Sequence, residues 1–195
     1  MPHAFLISDL HLGHRNIIRY SNRPFLTVWG MDRTLIRNWN RTVGPEDRVF
    51  YLGDFVWRGS IGHYINILNG KKTFIRGNHD RRMTAGYDHG ILTCRGRKFY
   101  LVHSPADVPK DWDGWVIHGH VHNSDTECYP FINSETRRIN VSCELIGYRP
   151  VDLDWITSLD LDKVGYIERL GPSGGGRTGF GMKGLIQRIG SRVGY

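Results

Sequence analysis

Five times within its first 122 residues this chain runs from a short apolar stretch into a loop carrying Asp, His or Asn. The loops hold Asp9 with His11, Asp54, Asn78 with His79, His103, and His120 with His122. One such residue after a strand is commonly a turn or cap residue. Five in order demand more, because a sheet whose strand ends share an edge can bring them together. The intervening pattern agrees. Strands over residues 3–8, 48–52 and 73–76 alternate with helices over 16–20, 27–43 and 61–68. The helix over 27–43 rests on Val28, Met31, Leu35, Ile36 and Trp39 at helical spacing, and Gly44-Pro45 ends it. This is an α/β pattern. The second half reads as richer in strand, over 90–94, 97–102, 114–118, 126–131 and 138–142. A short helix over 152–159 and a last strand over 164–170 follow.

A chain of 195 residues with 39% hydrophobic content suits one domain with one sizeable core, expected over residues 1–170. Composition shifts at Gly171. From there to Tyr195 there are nine glycines, four basic residues and no acid, which reads as a flexible basic tail. Leu185, Ile186, Ile189 and Val193 in this tail fall at helical spacing. The formal net charge of +7 favours an anionic partner, with nucleic acid as one candidate. Four of those charges lie in the tail, however, leaving +7 − 4 = +3 for residues 1–170. No leader-type segment and no apolar run of membrane-spanning length is present. Cys94, Cys128 and Cys143 are too widely spaced for a disulfide framework or a CxxC zinc pattern. A cytoplasmic protein without a membrane span is expected, of undefined oligomeric state.

The loop residues have a consistent ligand chemistry. Two carboxylates, several imidazoles and an amide oxygen suit a pair of divalent transition ions, manganese first, with iron, zinc, cobalt or nickel as alternatives. The lack of ligand cysteines argues against a structural zinc site. A carboxylate bridging two ions holds them about 3.5–4 Å apart, the spacing of two-metal phosphoryl-transfer sites.

The order Asp9-Leu10-His11, Gly53-Asp54, Gly77-Asn78-His79-Asp80, His103, Gly119-His120-Val121-His122 resembles the five motifs of calcineurin-like metallophosphoesterases. The run Ser8 to Ile18 resembles a small bacterial and phage-type branch of that superfamily, and the likeness continues to about residue 155. The resemblance implies two facing mixed β-sheets flanked by helices, with a dinuclear site at one edge. It also implies roles. Asp9, His11 and His122 resemble the ligands of one ion, Asn78, His103 and His120 those of the other, and Asp54 the bridging carboxylate. His79 resembles the histidine that assists the leaving group. The expected reaction is attack on phosphorus by a hydroxide shared between two ions, in line with the leaving oxygen. The expected substrate is a small phosphodiester, nucleotide-like or a cyclic nucleotide. A nuclease, a phosphomonoesterase or protein phosphatase, and a non-catalytic binding module are the alternatives.

Other residues divide between chemistry and scaffold. His14 and Arg58 are candidates for substrate or outer-sphere contacts, against readings as a helix-start histidine and a loop arginine. His118 reads as an outer-sphere or core histidine and not as a ligand, and Asp80 as a loop-ordering residue. His3, His63 and His89 lie outside the motifs and receive no role. In Gly53-Asp54-Phe55-Val56-Trp57-Arg58-Gly59, Trp57 stands where protein Ser/Thr phosphatases have an Asp, and Asp80 stands where they have Glu. Both departures count against protein phosphatase activity. Phe55, Trp57, Tyr87, Trp112, Trp115 and Tyr129 could stack on a base or form walls.

Overall fold

A computed structural model describes residues 2–171 and the pair 185–186. The chain runs β1 (Ala4–Ile7), α1 (Ile17–Tyr20), α2 (Val28–Thr42), β2 (Arg48–Leu52), α3 (Ile61–Ile67) and β3 (Lys71–Ile75). It continues through β4 (His89–Cys94), β5 (Arg97–Val102), β6 (Trp115–His118), β7 (Ile132–Asn133), β8 (Arg138–Asn140) and β9 (Val151–Asp152). It ends in α4 (Leu153–Ser158), β10 (Tyr166–Ile167), β11 (Arg169–Leu170) and β12 (Leu185–Ile186).

Two mixed sheets form the body. One has four strands in the order β3-β2-β1-β9, and the other has six in the order β10-β7-β8-β6-β5-β4. A hydrophobic core draws on both, with Phe5, Ile7 and Val49 from the first and Phe99, Leu101, Ile117 and Ile139 from the second. Central strands β1 and β6 therefore read as continuous apolar runs. Helix α2 buries Met31, Leu35 and Trp39, one every four residues, and its N-cap Thr27 accepts the Gly30 amide at 3.0 Å. The expected α/β sandwich is present.

Strand direction positions the chemistry. β1 runs parallel to β2, and β2 to β3. In the other sheet β5, β6 and β8 are mutually parallel in order. Ser8, just past β1, bridges in parallel to Ser142, just past β8. Both sheets therefore present the carboxyl ends of their parallel strands at one edge, where such sheets carry their sites.

Three local expectations need correction. Residues 126–131 form turns, not a strand. Asp125 organises them, its carboxylate accepting the Cys128 amide at 3.0 Å and its carbonyl the Tyr129 amide at 2.9 Å. The strand begins only at Ile132, after Pro130. The strand expected over 164–170 is divided into β10 and β11, which pair with different partners. Leu185–Ile186 pairs as a strand with β11, where the spacing suggested helix. The rest of the tail expected over 171–195, apart from Gly171, lies outside the described residues.

Candidate metal centre

The five loops meet at this edge, and their backbone is unusual. Asp9, His11, Asp54, His120 and His122 all adopt positive φ, between 50° and 72°. Non-glycine residues avoid this left-handed region, and its cost persists only where surrounding structure enforces it. Here the loops enforce one another. The Asp9 amide donates to Gly53 O at 2.9 Å, His11 to Asp54 O at 3.0 Å, and Leu12 to Phe55 O at 3.0 Å. Asp80 completes the clamp. Its carboxylate accepts the amides of Asp54 at 2.7 Å, Phe55 at 2.9 Å and Gly77 at 2.9 Å, so it orders the loop as expected. Gly77 permits the close approach, since a Cβ there would stand 2.1 Å from Asp54 Oδ1.

Asp54 is 2% exposed and central. Its Oδ1 accepts the His79 amide at 3.0 Å. Its Oδ2 lies 3.4 Å from His11 Nε2, 3.5 Å from His103 Nε2 and 3.9 Å from His79 Nε2. On one side of it, ligand atoms of Asp9, His11 and His122 all lie within 4.8 Å of one another. On the other, Asn78 Oδ1 is 3.1 Å from both His103 Nε2 and His120 Nδ1, which are 3.2 Å apart. All seven residues singled out as ligands are thus brought together.

Outer contacts aim them. His103 Nδ1 donates to Leu52 O at 2.8 Å; a carbonyl only accepts, so Nε2 is left to face the site. Asp9 Oδ2 accepts Ser8 Oγ at 2.6 Å, Ser142 Oγ at 2.9 Å and the His120 amide at 3.0 Å, which fixes the carboxylate plane. His122 Nδ1 donates to Glu144 Oε1 at 2.9 Å. Glu144 is in turn held by Arg23, whose Nε and Nη2 approach Oε1 at 2.9 and 2.8 Å. Arg23 is 4% exposed and also donates to Leu10 O at 2.9 Å and Asp9 O at 2.7 Å.

Glu144 and Arg23, which support the cluster from behind, are residues that motif reading missed. The available signal was a lone acid inside the otherwise uncharged run Val141-Ser142-Cys143-Glu144-Leu145-Ile146. An acid within such a buried stretch requires a partner.

Charge follows burial and proximity. Burial opposes charge on His103, yet the hydrogen bond to Asp54 and the Asp9 and Asp54 charges push its pKa up to about 9. Burial likewise opposes charge on His122, but Asp9 and Glu144 outweigh it and bring it to about 9. His11 goes the other way, to about 4, because burial outweighs Asp9 and Asp54. Asp54 is held well below the carboxylate range by His103 and His11 despite its burial.

The donor set fits divalent metal. His11 Nε2 is buried with no hydrogen-bond partner, and three lone-pair donors converge on one point at Asn78, His103 and His120. Hard carboxylate and amide oxygens with imidazoles match first-row divalent ions.

The remaining candidates lie around this cluster. His14 is buried with its ring 4.1 Å from Trp57 and 5.6 Å from His11, at the rim of the ligand set. Arg58 is exposed and joined to Leu12 O through its backbone amide, and its side chain is outside the cluster. His118 is fully buried, with Nδ1 on Gly119 O at 2.9 Å, a core histidine as expected. Phe55 and Trp115 are core residues, whereas Trp57 is 46% exposed and stands 5.1 Å from His79 in an edge contact.

Comparison with known proteins identifies the class. The calcineurin-like phosphoesterase profile matches residues 3–174. The chain belongs to this family, which makes it a metal-dependent phosphate-ester hydrolase. It is 44% identical over 164 residues to an uncharacterized protein of Methanocaldococcus jannaschii, MJ1445, covering 82% of this chain and 92% of that one. It is 36% identical over 86 residues to the Gene 66 protein of Mycobacterium phage L5, covering 41% of each. A protein of unknown function from Aquifex aeolicus, AQ665, superposes with a TM-score of 0.64 at 26% identity, covering 81% of this chain and 99% of that one.

Proposed function

We propose that the chain is a dinuclear phosphodiesterase acting on small nucleotide-like diesters, cyclic nucleotides among them. The observation that carries this reading is the position of Asp54 Oδ2, 3.4 Å from His11 on one side and 3.5 Å from His103 on the other. Asp9, His11 and His122 would hold one ion, and Asn78, His103 and His120 the second. Asp54 would be shared between them. Manganese is the first choice of metal. When bound, such a pair lowers the pKa of water and neutralises phosphate oxygens.

The chain's own residues supply the rest. His79 is half-exposed, with its backbone amide anchored on Asp54 Oδ1 and its ring braced by Trp57. Its Nε2 offers a proton to the leaving oxygen as the ester bond breaks. Asp54 Oδ2 lies 3.9 Å from that nitrogen. His79 and Trp57 stand on one flank. On the other, a cavity of about 660 Å³ opens beside Asn78, His103 and His120. Two flanks accommodate the two ester substituents of a diester, where a monoester needs one. Three free cysteines accord with a reducing cytoplasm, and among the described residues no helix is long and apolar enough to cross a membrane.

The test is a panel of bis(4-nitrophenyl) phosphate, 4-nitrophenyl phosphate, cyclic nucleotides and single-stranded nucleic acid, assayed with manganese and with chelator. Diester kcat/KM should exceed that for the matching monoester, and chelator should abolish both. Activity indifferent to chelator refutes the two-ion reading. A steep loss of affinity with salt identifies a nuclease instead.

A further inference from the structure

The cavity beside the metal centre has an outer wall that neither holds the candidate ligands nor meets His79. The cavity extends from Asn78, His103 and His120 to His89 and Tyr100, and its size suits a small-molecule site, roughly 300–1,000 Å³. Two of the wall's residues, Tyr100 and His89, are stacked rings, and Trp112 backs Tyr100 from outside the cavity lining. Trp112 packs on Tyr100 with centroids 5.2 Å apart, and Tyr100 stacks on His89 at 5.1 Å with 12° between planes. The two inner rings are fixed: Tyr100 is buried, and the Trp112 indole N–H donates to Trp115 O at 3.1 Å.

His89 is the outermost ring and is exposed. It opens β4 opposite Val102 of β5, which sets it diagonally across from Tyr100 on the same face of the sheet. A rigid aromatic stack with an exposed outer ring inside a concave site is a platform for another planar group.

The charges around it narrow the ligand. Arg76 and Arg81 line the cavity, but so do Asp80, Asp88 and Asp107. Arg76 is already engaged with Asp88 at 2.6 Å. Two cations offset by three carboxylates do not favour an extra phosphate and suit a neutral ring.

We propose that this cavity binds the ester substituent that stays on phosphorus, as a nucleoside whose base stacks on His89. The proposal rests on the diester reading and on His79 attending the leaving group on the opposite flank. His89 would then be a specificity residue, remote from the bond that breaks.

The experiment compares two diesters that release the same 4-nitrophenolate and differ only in the retained group. These are thymidine 5′-(4-nitrophenyl phosphate) and methyl 4-nitrophenyl phosphate. The manganese-loaded full chain should favour the thymidine ester. His89→Ala should cut the thymidine-to-methyl ratio of kcat/KM by about 5- to 100-fold, mainly through KM, as expected for loss of one base-stacking contact. His89→Phe keeps a ring and should hold the ratio. An unmoved ratio in His89→Ala overturns the proposal, and so does an equal fall in His89→Phe, which would mean that the imidazole nitrogens act and not its face. If the wild-type chain cleaves 4-nitrophenyl phosphate but neither diester, the diester reading itself has failed. Cleavage of both diesters without a His89 effect fails the cavity assignment alone.

Discussion

Removing the Glu144 carboxylate tests the outer support of the metal centre. One oxygen of Glu144 takes the Nδ1–H of His122 at 2.9 Å and two guanidinium nitrogens of Arg23 at 2.9 and 2.8 Å. Arg23 and Glu144 side chains are almost wholly buried, at 0% and 2% exposure. Glu144→Ala therefore strands a buried guanidinium, with the Leu10 and Asp9 carbonyls and the Met31 sulfur left to face it but no countercharge from Glu144. Losing one partner of a buried ion pair costs about 3–5 kcal/mol. It also frees the His122 ring, and loss of such outer support weakens metal affinity by about 10–100-fold. Glu144→Gln separates the two effects. Its amide oxygen still accepts from Arg23 and His122, so Glu144→Gln should lose less stability than Glu144→Ala, while one of the two charges that raise His122 is gone. Urea denaturation of the metal-free chain reads the first effect, and calorimetric titration with manganese reads the second. If Glu144→Ala unfolds within about 1 kcal/mol of wild type and binds manganese within twofold, Glu144 neither neutralises Arg23 nor orients His122, and the reasoning is refuted; a loss in that range would be the size of an ordinary surface pair.

Other outcomes follow from the same geometry. His103 and His122, with pKa values raised to about 9, carry protons at neutral pH without metal and must release them to coordinate it. Manganese affinity should therefore climb from pH 6 to 9, by up to about tenfold per pH unit for each proton displaced, and flatten above; a flat profile across that window contradicts the assignment. Asp54→Asn removes the central carboxylate and should lower bound metal below two ions per chain by elemental analysis, with activity down at least about a hundredfold; full metal content would show that Asp54 is not shared. His79→Ala should keep its metal yet lose about 10²–10⁴-fold in kcat, most on poor leaving groups. Near-full turnover on an alkyl ester would remove His79 from the chemistry.

The ligand loops were readable because each follows an apolar run directly, so strand end and chemistry coincide in sequence. The parallel order of β1, β2 and β3 then follows from the helices between them. The Arg23–Glu144 pair was not readable in this way, since the partners lie 121 positions apart and only folding joins them. The turn at 126–131 was misread because its apolar and aromatic residues carry no mark of Asp125 capturing their amides. Left-handed backbone at Asp9, His11, Asp54, His120 and His122 is equally silent, because Asp and His do not advertise positive φ as glycine does.

That backbone strain bears on how this scaffold can drift. At the three of these positions that hold His, the conformation itself favours Gly, Asn or Asp over the residue the chemistry requires. An exposed ligand such as His120 can therefore be exchanged for Asn or Gly with its loop left intact or relaxed. Loss of a ligand side chain at this edge is therefore open to single substitutions, because the core shared by the two sheets is built from other residues.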